Sequence, residues 1–159
     1  MSYQVFSISG SPRAWRVLLA LIVKQVPFEN CVLSVSESQH KSPEFTAVNP
    51  RQRVPVLKDG DFVLTESVAI LAYLDRKHPE PPLIGNDPRR AAQVWRIAME
   101  GDHDLRDAGA AFLRPILTQT ADPADPALDM AAKKMHTEHA RLEATLGELP
   151  YLAGEQLSL

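Results

Sequence analysis

The chain has 159 residues, of which 45% are hydrophobic and 23% are charged, as in an ordinary globular protein with room for one or two small cores. Its net charge of −3, without any block of lysines and arginines, argues against nucleic acid or an anionic membrane as a partner. The single cysteine, Cys31, excludes an intrachain disulfide and is typical of a reducing compartment, so we expect a cytoplasmic protein.

The first half of the chain alternates between strand and helix patterns. Ser11-Pro12 predicts a helix start, with the serine as cap and the proline at the first helical position. Asp59-Gly60 predicts a hairpin between two short strands. The predicted elements are strands at 3–8, 28–35, 54–57 and 62–64 and helices at 12–25, 42–45 and 66–77. This βαβαββα order predicts a small mixed sheet covered by helices.

The second half carries no strand pattern. Prolines crowd residues 79–88, which we interpret as a linker between a domain at 1–78 and an all-α domain at 89–159. Apolar residues at helical spacing predict a long helix, bent near Gly109, and a second amphipathic helix from 128 to 146. The last residues, 157–159, have the pattern of a helix cap, so we expect the helical domain to be incomplete.

Two neighbouring stretches of the first half have the character of a binding site. Proline at the start of a strand removes a backbone donor, so Val54-Pro55 predicts a sheet edge or a tight bend, in which the peptide bond can be cis. Such a bend offers the backbone N–H and C=O of Val54 to an extended peptide. Thr65-Glu66-Ser67 heads the next helix, where free N–H groups and the helix dipole favour an anion. Together they suit a small acidic peptide.

Three motifs, in this order and spacing, resemble the cytosolic glutathione transferase family, in particular its serine-type, phi-, theta- and zeta-like members. They are SPRAWRV at 11–17, NPRQRVPVL at 49–57 and ESVAILAYL at 66–74. The resemblance extends over the whole chain. It implies a thioredoxin-like first domain that binds glutathione, a helical second domain that shapes the electrophile site, and a homodimer.

The resemblance also implies roles for particular residues. Val54, ahead of a cis Pro55, would pair its backbone with the cysteinyl part of glutathione. Glu66 would meet the γ-glutamyl ammonium, and Ser67 with the helix N-terminus would meet the carboxylate. The positions implied to contact the glycyl carboxylate are His40, Lys41 and Arg53. Family analogy places the electrophile beside Arg106, Ala110 and Leu113.

Catalysis in such a protein requires the glutathione thiolate, whereas a free cysteine thiol has a pKa of about 8.5. A hydroxyl donor and a helix N-terminus near the sulfur both favour the anion. Ser11 lies at a helix start, five residues before Arg16, as in serine-type members, so Ser11 is the predicted catalytic hydroxyl and Ser9 the alternative. The competing interpretation is that Ser11 only caps the helix, and both roles are compatible. Tyr3 lies too early for a tyrosine mechanism.

Other candidate residues favour structural roles. The helix start at 11–14 lacks the cysteine that disulfide exchange requires, and Cys31 lies in a predicted strand as a small hydrophobe. We expect Trp15 in a core or interface, and Arg13 and Arg16 on the solvent face of the first helix.

No metal site is expected. The acidic and imidazole groups of Asp102, His103 and Asp104 are consecutive on a helix and point to different faces. His136 and His139 have ligand-compatible spacing but no third ligand.

The predicted function is therefore addition of the glutathione thiolate to a small hydrophobic electrophile. Two alternatives stay open. One is a non-catalytic glutathione-binding or interaction module on the same fold. The other is glutathione-dependent isomerase or peroxidase chemistry, which uses the same thiolate.

Overall fold

A computed structural model describes residues 2–158 of the chain. Within them the backbone forms two compact units, one that ends at Gly85 and one that spans Asn86–Ser158. Each unit has its own hydrogen-bonded elements. None of the helices in the described range combines the length and the apolar character needed to cross a bilayer.

The first unit is a four-stranded mixed sheet with helices, which confirms the predicted fold class. Its elements are β1 (Tyr3–Ser7), α1 (Pro12–Val23), β2 (Phe28–Val32), a 3₁₀ helix (Gln39–Lys41), α2 (Pro43–Val48), β3 (Val56–Asp59), β4 (Phe62–Thr65) and α3 (Ser67–Lys77). The strand order is β2-β1-β3-β4. β1 pairs parallel with β2 and antiparallel with β3, while β3 and β4 form the predicted hairpin.

The core of the first unit lies where α1 and α3 pack on the sheet. The apolar residues of α1 that recur at helical spacing place Val17 and Leu21 wholly inside, and Ile70 and Leu74 do the same on α3. The other members of this core are Tyr3, Val5, Ala20, Leu57, Leu71 and Leu83. This packing fixes the starts of α1 and α3, where the candidate site residues lie.

Several predicted boundaries are wrong by one to three residues. The second strand ends at Val32 rather than 35, the third begins at Val56, and α1 ends at Val23. Trp15 does not lie in the core of the first unit, because 62% of its surface is exposed in the structure, and its place in an interface stays a prediction. Its helical spacing is that of an apolar residue, but the face it occupies is not the one that packs on the sheet.

The second unit consists of helices α4 (Pro88–Glu100), α5 (Arg106–Leu117) and α6 (Pro126–Glu148). Asp87 and Asp125 cap α4 and α6, each with proline at the first helical position. The predicted bend at Gly109 is wrong: the irregularity is a five-residue π-helix at Gly101–Leu105 that joins α4 to α5. In a π-helix each hydrogen bond spans five residues instead of four, and the spacing of hydrophobic residues does not reveal this change.

Candidate active site

A buried asparagine organises the loop that leads into Val54-Pro55. Asn49 is 4% exposed, and its Nδ2 donates to the carbonyl oxygen of Arg53 at 2.7 Å. Its Oδ1 accepts from the backbone N–H of Arg51 at 3.1 Å. The loop then enters β3 through a cis Val54-Pro55 peptide bond, as the family resemblance implied. The local signal for this loop is the sequence Asn49-Pro50, since an asparagine before proline is a usual turn-forming pair.

The start of α3 lies next to this loop. Glu66 has φ 66° and ψ 110°, a conformation that is rare outside glycine and that clusters at ligand sites. Its exposed carboxylate lies 3.9 Å from the guanidinium of Arg51. Ser67, the first residue of the helix, is only 3% exposed, and the first turn of α3 contains no acidic residue. The free N–H groups of this turn and the helix dipole therefore give the N-terminus of α3 a positive electrostatic potential.

These two segments and the first turn of α1 line one small cavity. The lining residues are Arg13, Asn49, Arg51, Arg53, Val54, Pro55, Thr65, Glu66 and Ser67. Three guanidinium groups and a single carboxylate give the cavity an excess of positive charge. The excess of positive charge suits an anionic ligand, and the acidic peptide expected from the sequence stays a prediction.

Arg16 also belongs to this region, although sequence reasoning assigned it to the solvent face of α1. Its Nε and Nη2 donate to the Oγ of Ser67 at 3.0 and 2.5 Å. The two residues are 51 positions apart in the chain. No local pattern connects them, and only the packing of α1 beside α3 brings them together.

Ser11 is the N-cap of α1. Its Oγ accepts a hydrogen bond from the backbone N–H of Ala14 at 3.3 Å, and the residue is half-buried. A hydroxyl that accepts in this way keeps its proton for donation. Arg13, two residues further on, lines the cavity, whereas Ser9 is exposed in the turn before the helix. Ser11 thus caps the helix whose first turn contributes Arg13 to the cavity, and its hydroxyl proton is available for donation.

The other predicted glutathione contacts lie on the 3₁₀ helix. His40 is half-buried, and its Nδ1 is enclosed without a hydrogen-bond partner among the described residues. Lys41 is exposed. Neither residue lines the small cavity, and their contact with the glycyl carboxylate stays a prediction.

Arg106, Ala110 and Leu113 occupy exposed positions of α5. The Nε of Arg106 donates to the carbonyl oxygen of Asp102 at 3.0 Å, and its Nη2 lies 2.5 Å from the Asp107 carboxylate. A cavity of about 420 Å³ within the second unit is lined by residues of α4, the π-helix, α6 and Leu152, and not by these three. Their part in an electrophile site therefore stays a prediction.

The remaining candidates of the sequence analysis are Cys31 and the possible metal ligands. Cys31 lies in the edge strand β2, where burial and the neighbouring Glu29 carboxylate raise the pKa of its thiol. A raised pKa disfavours the reactive thiolate. Among residues 2–158, no three histidine, cysteine or acidic side chains come together as metal ligands would.

Comparison with known proteins agrees with this geometry. The family profile described as glutathione S-transferase, N-terminal domain, matches residues 1–76. A probable maleylacetoacetate isomerase of Vibrio cholerae is 31% identical over 167 aligned residues, which cover all of this chain and 76% of that protein. The chain belongs to the glutathione S-transferase family.

Two further proteins of this family are similar to the chain over different shares of its length. The crystal structure of a glutathione S-transferase from the Antarctic clam Laternula elliptica superposes on this chain with a TM-score of 0.89 and 30% sequence identity. The superposition covers 99% of this chain and 72% of the clam protein. Glutathione S-transferase 1 of Dianthus caryophyllus is 41% identical over 95 residues, or 60% of this chain. The chain spans less than half, 43%, of the length of that relative.

Proposed function

We propose that this protein is a serine-type glutathione transferase, which lowers the pKa of the glutathione thiol and adds the thiolate to a small hydrophobic electrophile. The observation that carries the proposal is the cationic cavity. It combines the backbone of Val54, the buried start of α3 and the first turn of the Ser11-capped helix.

The proposed binding mode follows from the donors and acceptors of that cavity. Val54 pairs its main chain with the cysteinyl residue beside Pro55. Glu66 receives the γ-glutamyl ammonium, and Ser67 with the free N–H groups of α3 receives the neighbouring carboxylate. The side chains assigned to the glycyl carboxylate are those of His40, Lys41 and Arg53.

Ser11 performs the proposed activation. Its hydroxyl donates to the sulfur while its Oγ continues to accept from Ala14. The N-terminal end of α1 and the absence of acidic residues from its first turn stabilise the anion further. The thiolate then forms a bond to the electrophilic carbon. In a substitution this carbon loses its leaving group, and in an addition the neighbouring atom, which receives the electron pair of the broken bond, takes up a proton. Arg106, Ala110 and Leu113 are proposed to line the electrophile site.

An ultraviolet titration of the thiolate of bound glutathione tests this proposal. We expect ionisation well below the free value of about 8.5 in the wild type and a return toward that value in Ser11→Ala, with binding retained. Ser9→Ala is the matched control and should titrate like the wild type. An unshifted thiol in the wild type would contradict activation and favour a non-catalytic glutathione-binding module.

A second candidate function is glutathione-dependent isomerisation, which is favoured by the similarity to the probable maleylacetoacetate isomerase over the full chain. In that reaction the thiolate adds to an activated double bond, the resulting single bond rotates, and elimination of the thiolate restores the double bond and the free glutathione. Assays of maleylacetoacetate and of conjugation and peroxide substrates in parallel separate these activities. Turnover without consumption of glutathione identifies an isomerase.

The same proposal covers organisation and location. Residues 1–78 are proposed to form the glutathione-binding domain, 79–88 the linker, of which Leu83 packs in the core of the first unit, and 89–159 a helical domain. The protein is proposed to act as a cytoplasmic homodimer that needs no metal and no nucleic acid. Sedimentation of the purified protein with and without glutathione measures its oligomeric state.

A further inference from the structure

The hydrogen-bond capacity of Ser67 is constrained by a single neighbour. A serine hydroxyl has one proton to donate and two lone pairs with which to accept. Arg16 donates to Ser67 Oγ twice, from Nε at 3.0 Å and from Nη2 at 2.5 Å. Both acceptor positions are therefore used, and the residue is only 3% exposed.

The hydroxyl of Ser67 can consequently act toward a ligand only as a donor. A carboxylate oxygen accepts such a bond, whereas an ammonium group, which has no lone pair, does not. The guanidinium charge behind the oxygen also polarises the O–H bond and strengthens its donation to an anion. The arrangement thus distinguishes the two charged groups of an α-amino acid.

We propose that Arg16 is a positioning residue that fixes the Ser67 hydroxyl as a donor for an α-amino-acid carboxylate. This inference rests on the proposed function, in which that carboxylate is the γ-glutamyl end of glutathione. Arg16 does not touch the ligand in this scheme and acts through Ser67. The planar fork of arginine fixes the direction of both bonds, which the single ammonium of lysine does not do.

A double-mutant cycle tests the inference, with calorimetric titration of S-methylglutathione, which cannot form a thiolate. Arg16→Met is expected to weaken binding about tenfold in the wild-type background, the effect of losing a charge-assisted hydrogen bond. In the Ser67→Ala background the same substitution should change affinity less than about twofold, because the hydroxyl it positions is absent. Arg76→Met, which removes an exposed arginine from α3, is the matched control and should bind like the wild type.

A second ligand identifies the group that Ser67 recognises. 4-Aminobutyryl-S-methylcysteinyl-glycine lacks only the γ-glutamyl carboxylate. It should bind the wild type about tenfold more weakly than S-methylglutathione, and Arg16→Met should cause no further loss. If Arg16→Met unfolds at the assay temperature, Arg16→Lys replaces it in the same cycle, with the same non-additivity expected.

Two other results would overturn the inference in distinguishable ways. Equal loss from Arg16→Met in both backgrounds would mean that Arg16 acts on the ligand or the cavity without Ser67, while the glutathione site itself would stand. Failure of the wild type to bind S-methylglutathione would overturn the proposed function as well.

Discussion

Ser11 combines two roles that a single alanine substitution would remove together. As an N-cap it accepts from the N–H of Ala14, and as the proposed catalytic group it donates its proton to the glutathione sulfur. Asparagine at this position preserves the cap but has no hydroxyl. The two roles can therefore be separated by comparing these two replacements.

We expect Ser11→Ala to lower the free energy of unfolding by about 1 kcal/mol and Ser11→Asn to leave it nearly unchanged. Both variants should lose thiolate activation, with kcat/KM for conjugation reduced about 10² fold, in the range found for one donor to a developing anion. Urea denaturation and steady-state kinetics measure the two effects. Full activity in Ser11→Asn would show that the cap, and not the hydroxyl, supports catalysis.

A buried ion pair lies at the other end of α1. Lys24 Nζ lies 2.7 Å from the Asp75 carboxylate and donates to the carbonyl oxygens of His78 and Pro81. Asp75 in turn accepts from the backbone N–H groups of Leu83 and Ile84. The pair thus fixes residues 78–84, the part of the first unit that follows α3.

Asp75→Asn should lower the free energy of unfolding by about 3 kcal/mol at neutral pH, because it leaves the Lys24 charge buried without a counter-ion. Asp61→Asn, in the exposed hairpin turn, is the matched control and should change stability little. Urea denaturation of both variants measures the difference. A loss no larger than that of Asp61→Asn would contradict a stabilising role for the pair.

The same pair predicts a pH dependence. Burial alone raises the pKa of Asp75, but the hydrogen bond from Lys24 and those from the Leu83 and Ile84 backbone outweigh it and lower the pKa. A carboxyl whose pKa is lower in the folded state contributes its full stabilisation above the ordinary value of about 3.9. That contribution is lost as the pH falls through the lower folded pKa. The stability difference between wild type and Asp75→Asn should therefore shrink in acid.

At the scale of an element, the helix pair α4–α5 departs from hydrophobic spacing at the π-helix and not at Gly109. Gly109 lies inside α5, where a Cβ would meet no described atom within 4 Å apart from the backbone of its own helix and its chain neighbours. Gly154, in contrast, has φ 122°, a conformation that side chains strongly disfavour. The two glycines therefore differ in whether the backbone requires them.

Gly109→Ala should raise the free energy of unfolding by about 0.5–1 kcal/mol, and Gly154→Ala should lower it by a similar amount or more. Urea denaturation measures both, with an unchanged helical circular dichroism spectrum as the check on fold. Destabilisation by Gly109→Ala would contradict this expectation, because it would mean that α5 requires glycine at this position.

At the scale of the whole molecule, the chain carries a net charge of −3, whereas three arginines line its candidate cavity. The positive charge is thus local and belongs to the site. Glutathione, with two carboxylates and one ammonium, complements it.

S-Methylglutathione at a concentration one hundred times its Kd should raise the free energy of unfolding by about 2.7 kcal/mol. Amide hydrogen exchange should slow at residues 49–57 and at the start of α3, where the ligand is proposed to bind. N-Acetyl-S-methylcysteine amide, which lacks both outer carboxylates and the ammonium, is the control and should give little protection. Protection confined to residues 86–158 would contradict the placement of the site.

Much of the fold was predictable because its signals are short-range. Ser11-Pro12 marked the start of α1 and Asp59-Gly60 the hairpin, and the structure has a cap or a turn at each. Each of these preferences depends on hydrogen bonds between residues only a few positions apart. Exact strand ends were not predictable, since pairing with a neighbouring strand decides where a strand stops.

The sequence by itself determined the order of elements, the family resemblance and the segments that form the candidate cavity. Only the tertiary structure decided that Arg16 bonds Ser67, that Lys24 is buried against Asp75, and that Trp15 is exposed. The physical reason is separation along the chain. A polar residue on a helix has the same pattern whether it faces water or a partner 51 residues away, and the packing of α1 beside α3 on the sheet selects between them.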